Sequence, residues 1–270
     1  MTLIAHLSDL HAGAGADSGE RIAAAVATVA ATPGTLDAVL ITGDLADHGA
    51  PEEYRQVATA LAPLRERCPV LVCPGNHDSR EEFRRWFPDH GDGPHRTPGT
   101  PGAQGSSGPL NRSVLLDTNG PRLLLCDSSV PGAAHGVLDE ETLGWLDTQL
   151  TAAPDVPAFI AFHHPPVPLG MPYIDSIGLR DPEALATLIE RHPSVRAVWT
   201  GHAHTAAFAT FAGVPLLSAP GIVSTGLITA EQHADATGWK STTMRPQYFL
   251  HLFEHGRLVT HVRNAEETRL

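Results

Sequence analysis

The chain has 270 residues, and its hydrophobic share of 42% is enough for the core of one large α/β domain. Acidic residues outnumber lysine and arginine by 30 to 18, and this balance disfavours non-specific nucleic-acid binding and docking on an anionic membrane. No apolar run reaches the roughly 18–20 residues of a transmembrane helix, and the first residues lack the pattern of a signal peptide. The three cysteines show no CxxC spacing, so we expect buried free thiols in a cytoplasmic protein.

The first third of the chain alternates strands with helices. An N-terminal strand precedes an Ala-rich helix over residues 18–31, and a buried strand over residues 38–42 precedes a proline-initiated helix over residues 51–67. A third strand leads to Asn76, and a short helix follows near residues 81–87. This alternation predicts a mostly parallel sheet.

A break in this pattern covers residues 88–109, which are rich in Pro and Gly and have no periodicity. The segment is too long for an ordinary connection and indicates a surface loop. Because it follows Asn76 closely, it is either a lid beside the functional site or a loop without function, and the sequence leaves both open. Its His90 and His95 are expected to be exposed to solvent.

The middle of the chain combines a hairpin with two helices. The Asn-Gly pair at 119–120 predicts a tight turn between two strands. Asp139 is expected to cap a helix that ends near Leu150, and Asp181 with Pro182 is expected to begin the next helix.

The last part of the chain is mostly β from about residue 197. Hairpins are expected about residues 212–213 and 255–256, and the segment 221–244 between them is irregular and polar. No linker divides the chain, so we predict a single domain over residues 1–270.

Five of the predicted strands end in side chains of the kinds that bind metals. These side chains are Asp9, His11, Asp44, Asn76, His163, His202 and His204. Because ligand sites in open α/β sheets lie beyond the carboxyl ends of the strands, we expect one shared metal centre. Residues two apart in an extended segment point the same way, so Asp9 can act together with His11, and His202 with His204.

The chemistry of this set indicates which metals it holds. Carboxylates combined with neutral imidazoles suit Fe, Mn and Zn, whereas an all-oxygen set suggests Mg or Ca. Seven ligands exceed what one ion needs and fit two ions that share a carboxylate, for which Asp44 is the candidate. Two ions about 3.5–4 Å apart can hold the attacking and leaving oxygens of a displacement at phosphorus.

Five motifs, DLH, GDLAD, GNHD, HHPP and GHAH, follow in this order between residues 7 and 204. With this set the chain resembles the calcineurin-like metallophosphoesterases, most closely the class III cyclic nucleotide phosphodiesterases. The resemblance implies an α/β fold in which a two-sheet β-sandwich is flanked by helices in four layers. Asp47 stands where purple acid phosphatases carry a metal-binding tyrosine, and GNHD differs from the GNHE of protein phosphatases.

The resemblance also implies a role for each matching residue. The first metal ion takes Asp9, His11, Asp44 and His204. The second takes Asp44, Asn76, His163 and His202. His77 resembles the family's histidine that contacts the phosphate and protonates the leaving oxygen, and the nucleophile is a hydroxide bridging the two ions. The predicted catalytic residues are Asp44 and His77, and the expected substrate contacts are Asn76, His77 and His204.

Several residues near the predicted ligands in the sequence are expected to have other roles. Asp47 and Asp78 are expected to orient histidines rather than to bind metal. His164 is an alternative to His163 as a ligand, and the first histidine of HHPP matches the family position. His135 either contacts substrate at the rim or is an ordinary surface histidine.

The predicted activity is hydrolysis of a small phosphodiester, first of all a 3′,5′-cyclic nucleotide such as cAMP, to the monophosphate. A glycerophosphodiesterase or another small-diester hydrolase is the alternative, because such relatives share the whole metal set. A non-catalytic scaffold on the same fold is disfavoured, since this chain retains every ligand. A homodimer is compatible with the resemblance, and the ligands do not choose among iron, manganese and zinc.

Overall fold

The computed structural model describes residues 1–88, 108–117, 120–233 and 237–265. The predicted loop over residues 88–109 therefore lies outside the described residues, with His90 and His95, except for its two ends. Asn119 of the predicted Asn-Gly turn lies outside them as well.

Strands and helices alternate through the first two thirds of the chain, and strands dominate the rest. In chain order the strands are β1 (Thr2–Leu7), β2 (Ala38–Thr42), β3 (Val70–Cys73), β4 (Arg112–Leu115), β5 (Arg122–Leu125), β6 (Ala158–Ala161), β7 (Val195–Thr200), β8 (Ala207–Phe211), β9 (Val214–Ser218), β10 (Thr225–Gly226), β11 (Ser241–Thr242), β12 (Gln247–Glu254) and β13 (Arg257–Asn264). The helices are α1 (Ser18–Ala30), α2 (Pro51–Ala60), α3 (Ala62–Arg65), α4 (Arg80–Trp86), α5 (Glu140–Ala152), α6 (Pro172–Ser176) and α7 (Glu183–Arg191).

Two large sheets contain most of the strands. The first has the order β13-β12-β1-β2-β3, with β1, β2 and β3 parallel and β12 antiparallel to β1. The second has the order β4-β5-β6-β7-β9-β8, with parallel pairing from β5 through β9 and antiparallel strands at both edges. Strands β10 and β11 form a separate two-stranded ribbon.

The two sheets pack face to face through a buried apolar layer. Ile4 and Leu40 of the first sheet belong to this layer, together with Phe159 and Trp199 of the second sheet, whose rings stack 4.4 Å apart. Helices α1 to α4 cover the outer face of the first sheet, and α5 and α7 cover that of the second. The predicted two-sheet sandwich flanked by helices is confirmed.

Strand β2 shows how the sequence produces this layering. Successive side chains of a strand alternate between faces, so Leu40 packs between the sheets while Val39 and Ile41 pack under the helices. Every residue of the strand is buried. A strand covered on both faces reads as a continuous apolar run, which is the pattern that predicted it.

Most of the predicted elements are confirmed. Asp139 caps α5 by accepting a hydrogen bond from the Thr142 backbone N–H at 2.8 Å. The turns at residues 212–213 and 255–256 have positive φ at both central positions, as two-residue hairpins require. All three cysteines are free and buried.

Three parts of the prediction were wrong. The helix expected over residues 51–67 is interrupted between α2 and α3, because Pro63 has no N–H to donate to the Thr59 carbonyl and its ring would collide there. The short helix α6 was not predicted. The segment 221–244, expected to be irregular, contains the ribbon of β10 and β11.

No helix within the described residues has both the length and the apolar character needed to cross a bilayer.

Two buried histidines, His6 and His251, contact each other within the first sheet. His6 Nδ1 is 3.0 Å from His251 Nε2, and His6 Nε2 is 2.9 Å from the Thr42 hydroxyl. The indole of Trp199, which belongs to the opposite sheet, stacks on the ring of His251 with the ring centroids 4.2 Å apart. Burial lowers the pKa of His6 from 6.5 to about 3 and lowers that of His251 as well, so both rings are neutral in the folded protein.

These histidines should make folding stability depend on pH. The unfolded chain takes up a proton on His6 below pH 6.5 while the folded chain does not until about pH 3, so stability falls with pH inside this window. Between pH 7.5 and pH 5 we expect His6 to account for about 2 kcal/mol of lost unfolding free energy. Urea unfolding at both pH values measures this loss.

The comparison uses His6→Gln, which should lose less stability than the wild type over the same pH interval. His255→Gln, in an exposed hairpin turn, should behave as the wild type does. An identical pH dependence in His6→Gln and the wild type would contradict the prediction.

Candidate metal centre

The loops after five strands meet at one end of the sandwich. The side chains predicted as ligands come together there, and six of them are buried: Asp9, His11, Asp44, His163, His202 and His204. Asn76 is half-buried. Backbone hydrogen bonds hold the loops against one another, including His11 N–H to the Asp44 carbonyl at 2.9 Å and Gly201 N–H to the His163 carbonyl at 2.9 Å.

Asp44 lies at the centre of this group. Its Oδ2 atom is 3.3 Å from His11 Nε2 and 3.3 Å from His163 Nε2. Its Oδ1 atom accepts a hydrogen bond from the His77 backbone N–H at 2.9 Å. One carboxylate oxygen therefore faces two imidazole nitrogens that belong to different sheets.

On one side of Asp44 lie His11, His204 and Asp9. The Nε2 atoms of His11 and His204 are 3.0 Å apart, and His204 Nε2 is 3.5 Å from Asp9 Oδ1. The other nitrogen of each ring is held from behind, by Asp47 at 2.8 Å for His11 and by the Ser224 hydroxyl at 2.8 Å for His204. Both Nε2 atoms are thus directed at the same point.

On the other side of Asp44, donor atoms surround His163 Nε2. Asn76 Oδ1 lies 3.1 Å from it and His202 Nδ1 lies 3.2 Å from it. His163 Nδ1 donates to the Thr42 carbonyl at 2.7 Å, so the lone pair of the neutral ring lies on Nε2. The ring is therefore fixed in the tautomer that can bind a metal.

These two groups of donor atoms fit metal ions. Asp9, His11, Asp44 and His204 each place one donor atom within 4.8 Å of the others. Ring nitrogens this close, with their other nitrogens already hydrogen-bonded, can bind one cation between them. The mixture of imidazole, carboxylate and amide donors suits iron, manganese or zinc. The assignment of ligands to each ion remains a prediction.

Backbone conformation at the strand ends is unusual. Positive φ is found at Asp9 (53°), His11 (40°), Asp44 (49°), His202 (68°) and His204 (51°). L-residues rarely adopt this region, and each such residue costs about 1–3 kcal/mol. The expectation that Asp9 and His11, and likewise His202 and His204, lie on extended segments was therefore wrong, because left-handed turns aim these side chains instead.

Two glycines allow the loops to approach this closely. A Cβ atom on Gly75 would overlap the carboxylate and the backbone nitrogen of Asp44. A Cβ atom on Gly43, whose φ is +92°, would overlap the ring of His163. The chain contacts itself at these points with no room for a side chain.

The electrostatics of the cluster favour a carboxylate at Asp44. Burial by itself raises the pKa of Asp44, but His163 and His11 outweigh this effect and hold that pKa well below its usual value. Burial lowers the pKa of His163, but the Asp44 and Asp9 carboxylates outweigh it and raise that pKa to about 9. Burial lowers the pKa of His202 to about 3 and that of His204 to about 4, so both rings are neutral at pH 7, the form in which imidazole binds metals.

His77 lies at the exposed edge of the cluster. Its Nδ1 donates to the Asp47 carbonyl oxygen at 2.7 Å, and the ring packs edge-on against His11 with centroids 4.7 Å apart. The side chain is 42% exposed and lines the cavity above the cluster. Its Nε2 atom is thus available to a molecule bound there.

The other residues singled out from the sequence occupy distinct places. Asp47 orients His11 as expected. Asp78 instead accepts bonds from backbone N–H groups of residues 45, 46 and 75 and from the Tyr54 hydroxyl, so it fixes loops rather than a histidine. His164 Nδ1 pairs with the Ser128 hydroxyl at 2.8 Å, and its Nε2 is buried with no hydrogen-bond partner among the described residues. His135 is half-buried, and its neighbour Ala134 lines the cavity.

A cavity of about 550 Å³ opens above the cluster. Its floor contains His11, Asp44, Asn76, His202 and His204. Its wall is formed by apolar and aromatic side chains: Tyr173, Ile174, Ile177, Val223 and Trp239. A volume of this size is typical of small-molecule sites.

Sequence reasoning missed the residues that support the cluster and shape this cavity. Thr42 and Ser224 hold ligand histidines, and Tyr173 and Trp239 form the wall. Thr42 acts through its backbone carbonyl, which no residue type reveals. The other three belong to segments without a recognisable motif.

The calcineurin-like phosphoesterase profile matches residues 2–206, and the chain belongs to this family. Among its relatives, the glycerophosphodiester phosphodiesterase GpdQ of Enterobacter lignolyticus is 35% identical over 69% of this chain and 63% of its own length. The cAMP/cGMP dual specificity phosphodiesterase MT0825 of Mycobacterium tuberculosis is 37% identical over 67% of this chain and 52% of its own length. This chain therefore spans less than two thirds of either protein.

Two further comparisons cover nearly the whole chain. The 3′,5′-cyclic adenosine monophosphate phosphodiesterase CpdA of Pseudomonas aeruginosa is 30% identical over 98% of this chain and 90% of its own length. The crystal structure of a dimetal phosphatase from Danio rerio superimposes with a TM-score of 0.69 at 17% identity, covering 98% of this chain and 97% of that one. At this identity the structural likeness shows the shared fold.

The contact between Gly75 and Asp44 leads to a prediction about metal binding. In Gly75→Ala the new methyl group must displace the Asp44 carboxylate, which we expect to weaken Mn²⁺ binding by roughly 10–100-fold. Metal content after equilibration and desalting, together with calorimetric titration, measures the change. Gly144→Ala is the control, since a Cβ at that helical position meets nothing within 4 Å. Wild-type Mn²⁺ affinity in a folded Gly75→Ala protein would contradict the prediction.

Proposed function

We propose that this protein is a dinuclear-metal phosphodiesterase that hydrolyses 3′,5′-cyclic nucleotides, cAMP first, to the nucleoside monophosphate. The observation that carries the proposal is Asp44 Oδ2, placed 3.3 Å from a ligand histidine on either side at the floor of an aromatic-walled cavity. The proposal includes ions drawn from iron, manganese and zinc, and, as predicted from the sequence, a single-domain cytoplasmic protein.

The charges around the cavity support a diester as the substrate. Asp17, Asp44 and Asp47 line it, and no lysine or arginine is among the described residues that do. A phosphodiester carries one negative charge, whereas a phosphomonoester carries nearly two at pH 7. Asp17 and Asp47, which are not proposed as metal ligands, therefore repel the monoester more strongly than the diester and favour release of the monophosphate product.

The residues of the cluster have separate tasks in this proposal. Two bound metal ions would supply charge neutralisation at the phosphate and an activated water. Asp44 holds the two halves of the cluster together, and Asn76 presents its carboxamide both to His163 and to the cavity. His77, with Nδ1 anchored on the Asp47 carbonyl, keeps Nε2 free to protonate the leaving oxygen.

A glycerophosphodiesterase is the second candidate. The 35% identity to GpdQ favours it, and the metal cluster by itself does not distinguish the two substrates. The cavity wall weighs against it, because glycerol has no apolar face to cover Tyr173, Ile177 and Trp239. The agreement of the chain with CpdA over 98% of its residues also supports the cyclic nucleotide.

The proposal predicts turnover of cAMP by the Mn²⁺-loaded protein. We expect a higher kcat/KM for cAMP than for glycerophosphocholine, and loss of activity by at least about 10²-fold in Asn76→Ala. Asn264→Ala, on the exposed strand β13, is the control and should retain wild-type turnover. Preferred hydrolysis of glycerophosphocholine would move the assignment to the second candidate. Absence of any diester hydrolysis by protein with both ions bound would overturn the proposed activity.

The role given to His77 can be tested with leaving groups of different basicity. His77→Ala should lower kcat for cAMP by about 10²–10⁴-fold, because the ribose oxygen needs a proton to leave. Bis(p-nitrophenyl) phosphate should be affected much less, since p-nitrophenolate leaves without one. Steady-state rates on both substrates give the two ratios. His261→Ala, on the exposed strand β13, serves as the control, and equal losses on both substrates in His77→Ala would argue against proton donation.

A further inference from the structure

A second cavity, of about 330 Å³, adjoins the cavity above the metal cluster. Three side chains line both cavities: Tyr173, Ile174 and Trp239. The Trp239 ring lies 5.3 Å from the ring of His204 at an interplanar angle of 65°. A molecule that binds over the cluster and extends past His204 therefore meets these three side chains and then the second cavity.

The lining of the second cavity combines aromatic and apolar surface with a few polar groups. Met171 and Leu227 add apolar surface, and Thr229 and Gln232 add polar atoms. Lys240, the only lysine in the chain, lies on this wall. An apolar cavity with a few polar groups suits a planar ring with a polar edge. A nucleobase has both features, whereas glycerol has no apolar face and the Lys240 ammonium repels the choline cation.

Trp239 is fixed by its packing. A Cβ atom on Gly226 would lie 2.7 Å from the Trp239 ring, so the indole sits directly against the backbone of β10. The Gly226 N–H donates to the His204 carbonyl at 3.2 Å, and the Leu227 N–H donates to the Lys240 carbonyl at 3.0 Å. The indole is thus tied to the same backbone that positions a ligand histidine. An aromatic surface already in place loses little freedom on binding.

Part of this wall lies beyond the segment that the family profile matches. The family profile ends at residue 206, whereas Trp239 and Lys240 follow it by more than thirty residues. Tyr173 and Ile174 lie within the matched segment but come from the short helix α6. Selectivity among diesters can thus be set here without changing the metal ligands.

We infer that the second cavity, with Tyr173 and Trp239 at its entrance, is a subsite for the nucleobase of the substrate. This inference rests on the proposed function, because it places the base next to the phosphate held over the cluster. The base contacts the aromatic faces of Trp239 and Tyr173, and its polar edge faces Gln232 and Lys240. These residues determine specificity and take no part in the bond-breaking step.

The test measures binding of adenosine, which carries the base without a phosphate, to the Mn²⁺-loaded full-length protein. Calorimetry should show that Trp239→Ala weakens adenosine binding by roughly ten- to hundredfold, the range for loss of base stacking. Trp239→Phe, which keeps an aromatic face, should weaken it much less. Trp145→Phe, on α5 and remote from both cavities, is the matched control and should bind as the wild type does.

A second measurement separates this inference from the proposed activity. In Trp239→Ala the ratio of kcat/KM for cAMP to that for methyl p-nitrophenyl phosphate, a diester without a base, should fall at least tenfold through a higher KM for cAMP. Adenosine binding that is absent from the wild type, or equal in Trp239→Ala and the wild type, would overturn the subsite even if cAMP is hydrolysed. Adenosine binding lost in Trp239→Ala would support the subsite even if another adenosine-containing diester proves to be the substrate.

Discussion

The hydrogen bond from His163 Nδ1 to the Thr42 carbonyl, 2.7 Å long, joins the carboxyl end of β6 to that of β2. It connects the two sheets at the point where the candidate metal centre lies. The bond fixes His163 as the tautomer whose Nε2 faces Asp44, and it can form only when the apolar layer between the sheets is closed. The position of His163 in the site therefore depends on the packing of the two sheets in the core.

The strand ends are strained because they serve this geometry. Five candidate ligands have φ between 40° and 68°, and the glycines at positions 43 and 75 leave no space for a side chain. Strain of this kind persists only where surrounding structure enforces it. Here the enforcement comes from hydrogen bonds between loops, such as the two backbone N–H groups that bind Asp78 from the GDLAD loop. Hydrogen bonds between the loops of the folded sandwich therefore hold the candidate ligands in these strained conformations.

The residues that we propose to determine substrate selectivity belong to a different part of the chain. The ligands come from loops at strand ends within residues 2–206, whereas Trp239, with its neighbour Lys240, comes from the segment between β10 and β12. The cavity directly above the metal cluster is lined by carboxylates and aromatic rings, with no lysine or arginine among its described lining residues. In the proposed function, the metal centre therefore neutralises the charge of the phosphate, and apolar surface binds the organic part of the substrate.

The sequence by itself determined the order of strands and helices, the sandwich implied by five motifs, and the seven side chains at the strand ends. Local patterns suffice for the strand ends and for most of the elements, since hydrophobic periodicity and turn residues act over a few positions, whereas the sandwich came from the resemblance that the five motifs carry. Pro63 is the sequence feature that marks the interruption between α2 and α3. Only the tertiary structure decided that Asp44 lies between two histidines from different sheets, that left-handed turns aim the ligands, and that Trp239 stands beside His204. These features depend on contacts between residues far apart in the chain, such as Asp44 and His163, which no local pattern encodes.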